Sequence, residues 1–157
     1  PGPFPFADES FDIVLSSGAV TQTSDTAGII ADCLRVLKPG GTFTCYEWMR
    51  IDEPYSDDML RWLKLEELTY VLETIESFAQ LFRDAGFVDV EAEDASAWYR
   101  RECRREYELI RNELYPRMLE LLGREDADHF VANWQAMTVV CESGEMRQAY
   151  FRGRRPA

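Results

Sequence analysis

Histidine occurs once in these 157 residues, at position 129, and positive charge is scarce, with 17 Lys and Arg against 29 Asp and Glu for a net charge of -12. That balance repels a phosphate backbone and an anionic lipid surface, so neither nucleic acid nor a membrane is an expected partner. The arginines that are present gather at Arg100, Arg101, Arg104 and Arg105, and again at Arg152, Arg154 and Arg155; such runs read as solvated faces. Four cysteines, Cys33, Cys45, Cys103 and Cys141, lie far apart without Cys-x-x-Cys spacing. This argues against a zinc site or a disulfide framework and for reduced core thiols in a cytoplasmic protein. His129 follows Asp126 and Asp128 in a helical pattern. With no Ser, Cys or metal-ligand partner suggested nearby, it reads as a surface or packing residue, and no metal is expected. No stretch approaches the roughly 20 apolar residues of a membrane span, and the start shows no signal-peptide pattern. The sequence begins at Pro1 rather than Met, so a processed or truncated product is expected.

What is present suffices for a core: 46% of residues are hydrophobic and 13% aromatic, in a length that suits a single domain. After a Pro-rich lead-in over residues 1–5 comes the apolar run Phe11, Asp12, Ile13, Val14, Leu15, ended by Ser16, Ser17 and Gly18. That is the pattern of a parallel strand buried on both faces. Ile29, Ile30, Cys33, Leu34 and Leu37 then recur at helical spacing behind a Ser24 or Asp25 cap, and Lys38-Pro39-Gly40-Gly41 stops the helix. Residues 42–48, rich in β-branched and aromatic types, predict a second strand, completing a right-handed βαβ unit with parallel strands. Further helices are predicted over 57–72 and 75–85, the latter capped by Thr74 and closed by Gly86. A period-2 strand follows at 87–92, then a long helix over 96–122 broken at Gly123, another over 126–142, and a last strand over 146–152.

Residues 5–14, Pro-Phe-Ala-Asp-Glu-Ser-Phe-Asp-Ile-Val, followed by Leu34-Arg35-Val36-Leu37-Lys38-Pro39-Gly40-Gly41, resemble the middle of class I S-adenosylmethionine-dependent methyltransferases. There a Pro-Phe-x4-Phe-Asp-x-Val segment, a helix and Arg-Val-Leu-Lys-Pro-Gly-Gly succeed one another. The 74–96 region, Trp134 and the closing 146–151 segment are similar to the C-terminal lobe of phosphoethanolamine N-methyltransferases. The resemblance implies an α/β fold, the C-terminal half of a Rossmann-like methyltransferase sheet with additional covering helices. The chain would be one partial domain, with 5–48 as strand-helix-strand of the core and 55–157 as a lobe whose helices cover the substrate cavity.

The family grips its cofactor through a Gly-rich turn and an acidic residue after its first two strands, and neither is found in this sequence. The expectation is therefore weak or absent S-adenosylmethionine binding by this chain alone. Leu15, Ser16, Ser17 and Gly18, at the C-terminal edge of the first strand, are the remaining cofactor-contact candidates. Where the family has a catalytic His the aligned residue is Gln22, whose amide can hydrogen-bond an amine but cannot take its proton. Its phosphate-binding positions align with Trp48, Lys64, Leu68, Tyr70 and Met137, a poor set for a phosphate because only Tyr70 is retained and Lys64 is the sole cation. The expected function is methyl transfer to a small organic acceptor in the complete protein. Gln22 and Tyr70 would orient the acceptor, with Trp48, Lys64 and Met137 on the substrate side. Tyr46, Tyr55, Trp62, Trp98 and Trp134 supply further aromatic faces, read as core filling or as a cation-attracting wall. The competing expectation is a non-catalytic remnant that pairs through the exposed edge of strand 11–15, as a homodimer or with a missing N-terminal half.

Overall fold

The computed structural model describes residues 3–68 and 72–157. Among them, residues 3–50, 72–94 and 148–157 form one compact unit and residues 51–68 and 95–147 a second.

The first unit holds a four-stranded sheet in the order β1-β2-β4-β3, built from β1 (Phe11–Ser17), β2 (Leu37–Arg50), β3 (Val88–Asp94) and β4 (Met146–Arg154). β1 lies at its edge and runs parallel to β2, with Ile13 opposite Thr42 and Ser17 opposite Tyr46. β3 pairs antiparallel with β4. Helices α1 (Thr26–Val36) and α3 (Ile75–Ala85) supply the core's other layer. Asp25, rather than Ser24, caps α1, its carboxylate accepting from the Gly28 N–H at 2.9 Å. α3 begins and ends as expected: Thr74 and Ser77 form a reciprocal cap, and Gly86 turns left-handed at φ 105°. The core is dominated by rings, with Phe43 stacked on Phe82 at 5.0 Å and Phe78 against Phe151 at 4.5 Å.

β2 is longer than expected. The Lys38-Pro39-Gly40-Gly41 segment does not simply end a helix; it is taken into the strand, and the register to β1 jumps from Phe11 opposite Leu37 to Ile13 opposite Thr42. Gly40 sits at φ 77°, and the bulged segment hydrogen-bonds the C-terminal tail, Gly40 N–H to the Arg155 carbonyl at 3.1 Å and Arg155 N–H to that of Gly41 at 2.9 Å. Arg155 is also more than a solvated charge. Its guanidinium donates to the carbonyls of Leu34, Arg35 and Leu37 and to the Glu9 carboxylate, satisfying carbonyls that a helix end leaves without partners.

The lead-in is stitched to α1 by Arg35, the arginine of the Arg-Val-Leu-Lys segment. It donates to Asp32 at 2.6 Å, to Asp8 at 2.7 Å and to the carbonyls of Phe6 and Phe4. Asp32 also accepts the Phe4 N–H. The Arg35 hydrogen bond, against the opposing effect of burial, holds the Asp32 carboxyl below its ordinary value of 3.8. A carboxylate with a lowered native pKa stabilises above the unfolded value, and that stability is lost as pH falls through the native one. Asp32→Asn is therefore expected to cost about 1 kcal/mol near neutral pH. The difference from wild type should shrink toward zero as acid titrates below 3.8, as read by urea unfolding across a pH series. A constant difference down to strong acid would contradict the ion-pair account.

The second unit contains α2 (Asp57–Leu65), α4 (Ser96–Leu109), a π-helical turn (Ile110–Leu114), α5 (Tyr115–Leu122) and α6 (Arg124–Ser143). α2 is shorter than the 57–72 expected, because Glu67 adopts φ 57° and Leu68 N–H returns to the Leu63 carbonyl at 3.0 Å, ending the helix. The expected 96–122 helix is continuous but widens over Ile110–Leu114. Pro116, near the start of α5, has no N–H to donate backward, and the wider turn accommodates that loss. Trp62 and Cys103 are fully buried in this unit, Ser56 caps α2 and donates to Glu145 at 2.5 Å, and exposed His129 meets the Leu65 carbonyl. All four cysteines are free and buried. Among the described residues no helix is long and apolar enough to cross a membrane.

Candidate functional site

β1 ends at Ser17 opposite Tyr46 while β2 runs on to Arg50, and the chain leaves β1 through a loop over residues 16–22 whose backbone reverses at Gly18, φ 62°. A Cβ at Gly18 would meet nothing within 4 Å, so glycine is required there by the dihedral rather than by crowding. Gly18 N–H is held by the Tyr46 carbonyl at 2.8 Å. The loop closes in a short 3-10 turn, Val20–Gln22.

The cofactor candidates divide by strand alternation. Leu15 is 73% exposed and Ser17 is exposed, whereas Ser16 is half-buried. With Thr44, Cys45, Tyr46 and Tyr150 they line a concavity of about 390 Å³, in which the Tyr46 and Tyr150 rings lie 5.2 Å apart. Gln22 is exposed at the end of the 3-10 turn, and Trp48 is half-buried on β2. The remaining substrate-side residues belong to the second unit. Lys64 is exposed on α2, Leu68 is half-buried just past it, and Met137 is buried on α6 with the Tyr99 hydroxyl 3.8 Å from its sulfur. Tyr70 lies outside the described residues.

The sequence reading passed over the residue that organises this loop. Glu47, on β2, is fully buried and receives four donors. Oε1 accepts Ser16 Oγ at 3.2 Å and Val20 N–H at 3.1 Å; Oε2 accepts Thr21 N–H at 3.3 Å and Thr21 Oγ1 at 2.9 Å. The only signal was a single acidic residue inside the otherwise uncharged 42–48 strand. Neighbouring thiols are inert. Burial, then the Glu47 charge, pushes the Cys45 thiol up, and burial, then Asp32, pushes that of Cys33 up to about 12. A raised thiol pKa disfavours the thiolate that a nucleophile needs.

An α/β sheet with an ordered, glycine-reversed loop at the carboxyl end of an edge strand is a Rossmann-like arrangement, in which such strand ends are where ligands usually lie. Residues 3–45 match the methyltransferase domain family. Phosphoethanolamine N-methyltransferase 1 of Arabidopsis thaliana is 26% identical over 146 residues, covering 93% of this chain and 29% of that protein. The Triticum aestivum phosphoethanolamine N-methyltransferase is 28% identical over 149 residues, 94% of this chain and 29% of its own length. The solved structure of phosphoethanolamine N-methyltransferase 2 from Haemonchus contortus, in complex with phosphomonomethylethanolamine and S-adenosylhomocysteine, superposes with a TM-score of 0.87 at 21% identity, over 97% of this chain and 35% of that one. By these likenesses the chain is similar to part of a class I S-adenosylmethionine-dependent methyltransferase. It spans about a third or less of the length of these relatives.

Proposed function

We propose that this chain contributes the acceptor side and one wall of the donor site to an S-adenosylmethionine-dependent methyltransferase acting on a small organic molecule. The observation that carries this reading is the loop over residues 16–22, held to β2 at the carboxyl end of parallel β1 within the segment that matches the methyltransferase family. The donor supplies an electrophilic methyl group on a sulfonium. Leu15, Ser17 and the Gly18 backbone would face it, since they are accessible or free of nearby side chains. Ser16 is already committed to Glu47. In-line displacement draws most of its rate from orientation, so an amide suffices where no strong base is present. Gln22 would orient the acceptor by hydrogen bonding, Tyr70 would assist, and Trp48 would close the pocket against water. Lys64 and Met137, both on the second unit, stay substrate-contact candidates through the family resemblance alone.

Phosphoethanolamine, or another acceptor gripped by its phosphate, is not the preferred substrate. One ammonium and one phenol are too few charge-assisted donors to draw a dianion from water. The residues that would grip the methionine and ribose parts are expected from the half of the fold that these residues do not include, so the chain alone should bind the donor weakly. Titration with S-adenosylmethionine, followed by amide NMR, is expected to give a Kd of about 1 mM or weaker, with shifts confined to residues 15–18 and their neighbours on β2. Shifts elsewhere, or none at saturating donor, would remove the site assignment; micromolar binding would overturn the claim of an incomplete grip.

A further inference from the structure

We propose that Glu47 is a positioning residue that locks the donor-facing and acceptor-facing parts of the 16–22 loop into one rigid piece; the inference rests on the functional reading above. Burying a carboxylate is costly unless hydrogen bonds replace its water, and an apolar residue fills a core-facing strand position at no such cost. Glu47 lies in the core-facing row of β2 between Cys45 and Met49, with no exposed surface. Stability alone gives no reason for an acid there.

What it does instead is specific. One oxygen holds Ser16, at the donor end of the loop, together with the Val20 N–H; the other holds Thr21 twice, through N–H and Oγ1, next to Gln22. Four donors fill the accepting capacity of a carboxylate, which leaves no lone pair for a ligand cation and makes the role positional rather than catalytic. Besides Glu47, the pairing of Ser16 and Ser17 with β2 and the burial of Val20 and Thr21 hold the loop. Its backbone makes the Gly18–Tyr46 bond at 2.8 Å and the long Gln22–Ala19 bond at 3.2 Å. Without Glu47, Val20 and Thr21 would lose their N–H acceptors, and the turn that carries Gln22 would no longer be tied to Ser16 on β1.

The substitutions separate charge, length and volume. Glu47→Met keeps the volume and removes every acceptor. Glu47→Gln keeps the length but turns an NH2 group toward a pair of donors, and Glu47→Asp keeps both oxygens one methylene short. Amide hydrogen exchange on the whole chain reads the outcome directly. Glu47→Met is expected to raise exchange at Val20 and Thr21 by about tenfold, the scale of one lost hydrogen bond, while Phe78 and Phe82 in α3 keep wild-type rates. Glu47→Gln should behave similarly, and Glu47→Asp should restore part of the protection. Unchanged exchange at Val20 and Thr21 in Glu47→Met overturns the proposal. So does a uniform rise that includes α3, which would make Glu47 an ordinary core residue. A parallel titration with S-adenosylhomocysteine tests the functional reading separately. A wild-type chain that shows no response at residues 15–18 fails that reading, whatever the exchange data say. A response that weakens in Glu47→Met and recovers in Glu47→Asp supports both.

Discussion

Phe82→Ala is expected to lose about 3–5 kcal/mol of folding stability, the range for truncating a buried aromatic ring. Phe82 has no exposed surface and touches four other rings: Phe43 stacked at 5.0 Å, Phe87 at 5.2 Å, Phe78 at 5.7 Å and Phe151 at 6.2 Å. Rings on α3, β2 and β4 cannot collapse into the vacated space without moving their backbones, so the cavity stays open and the upper part of the range applies. Gly153 on β4 belongs to the same packing, because a Cβ there would lie 2.9 Å from Phe82 Cδ1. Gly153→Ala should destabilise the wild type and cost less in the Phe82→Ala background, a coupling of about 0.5–3 kcal/mol between contacting sites. Urea unfolding of the four proteins provides the cycle. A loss below 1 kcal/mol for Phe82→Ala, or strict additivity with Gly153→Ala, would contradict the packing described. Leu121→Ala serves as control: at 65% exposure it should change stability by no more than about 0.5 kcal/mol.

What was legible in the sequence was what short-range chemistry decides. α3 came out with its bounds and both caps because Thr74, Ser77 and Gly86 act within a turn of one another. The parallel pairing of β1 with β2 followed from a crossover helix between two apolar runs. Partners far apart in the chain were not legible. Nothing local announces that Arg155 will close the end of α1, with partners some 120 residues away, or that Glu47 will gather donors from 26 to 31 residues upstream. Composition also misjudged continuity where backbone conformation overrode it. Residues 66–68 keep a helical composition, yet Glu67 enters the left-handed region and α2 ends. Within the candidate site, Leu15, Ser16, Ser17 and Gly18 were proposed from the strand end and the family resemblance. The carboxylate that ties Ser16 to Val20 and Thr21 was missed because in one dimension a charged residue in a strand looks like an outward-facing one.

The double glycine that helped mark the family carries the second large effect, and its two members act for different reasons. Gly40 is at φ 77° with open space where a Cβ would go, whereas a Cβ on Gly41 would lie 2.9 Å from the Lys38 carbonyl oxygen, 3.0 Å from that of Asp12 and 3.1 Å from Leu37 Cδ2. Gly40→Ala therefore meets only the dihedral penalty, about 1 kcal/mol. Gly41→Ala meets two backbone oxygens that cannot rotate away, one of them on β1, and relief requires parting β1 from β2 at the bulge. The expected cost is about 1–3 kcal/mol, the range for forcing extra atoms into a packed site, and Gly41→Val should exceed Gly41→Ala. Because the strain falls on the β1–β2 ladder, it should also reach the loop that β1 carries. Gly41→Ala is expected to speed amide exchange at Val14 and Ser16 more than in α3, whereas Gly40→Ala leaves that pattern unchanged. Equal destabilisation by the two substitutions, or exchange that rises evenly across the unit, would mean that the close approach of Gly41 to Asp12 does not hold β1 in register.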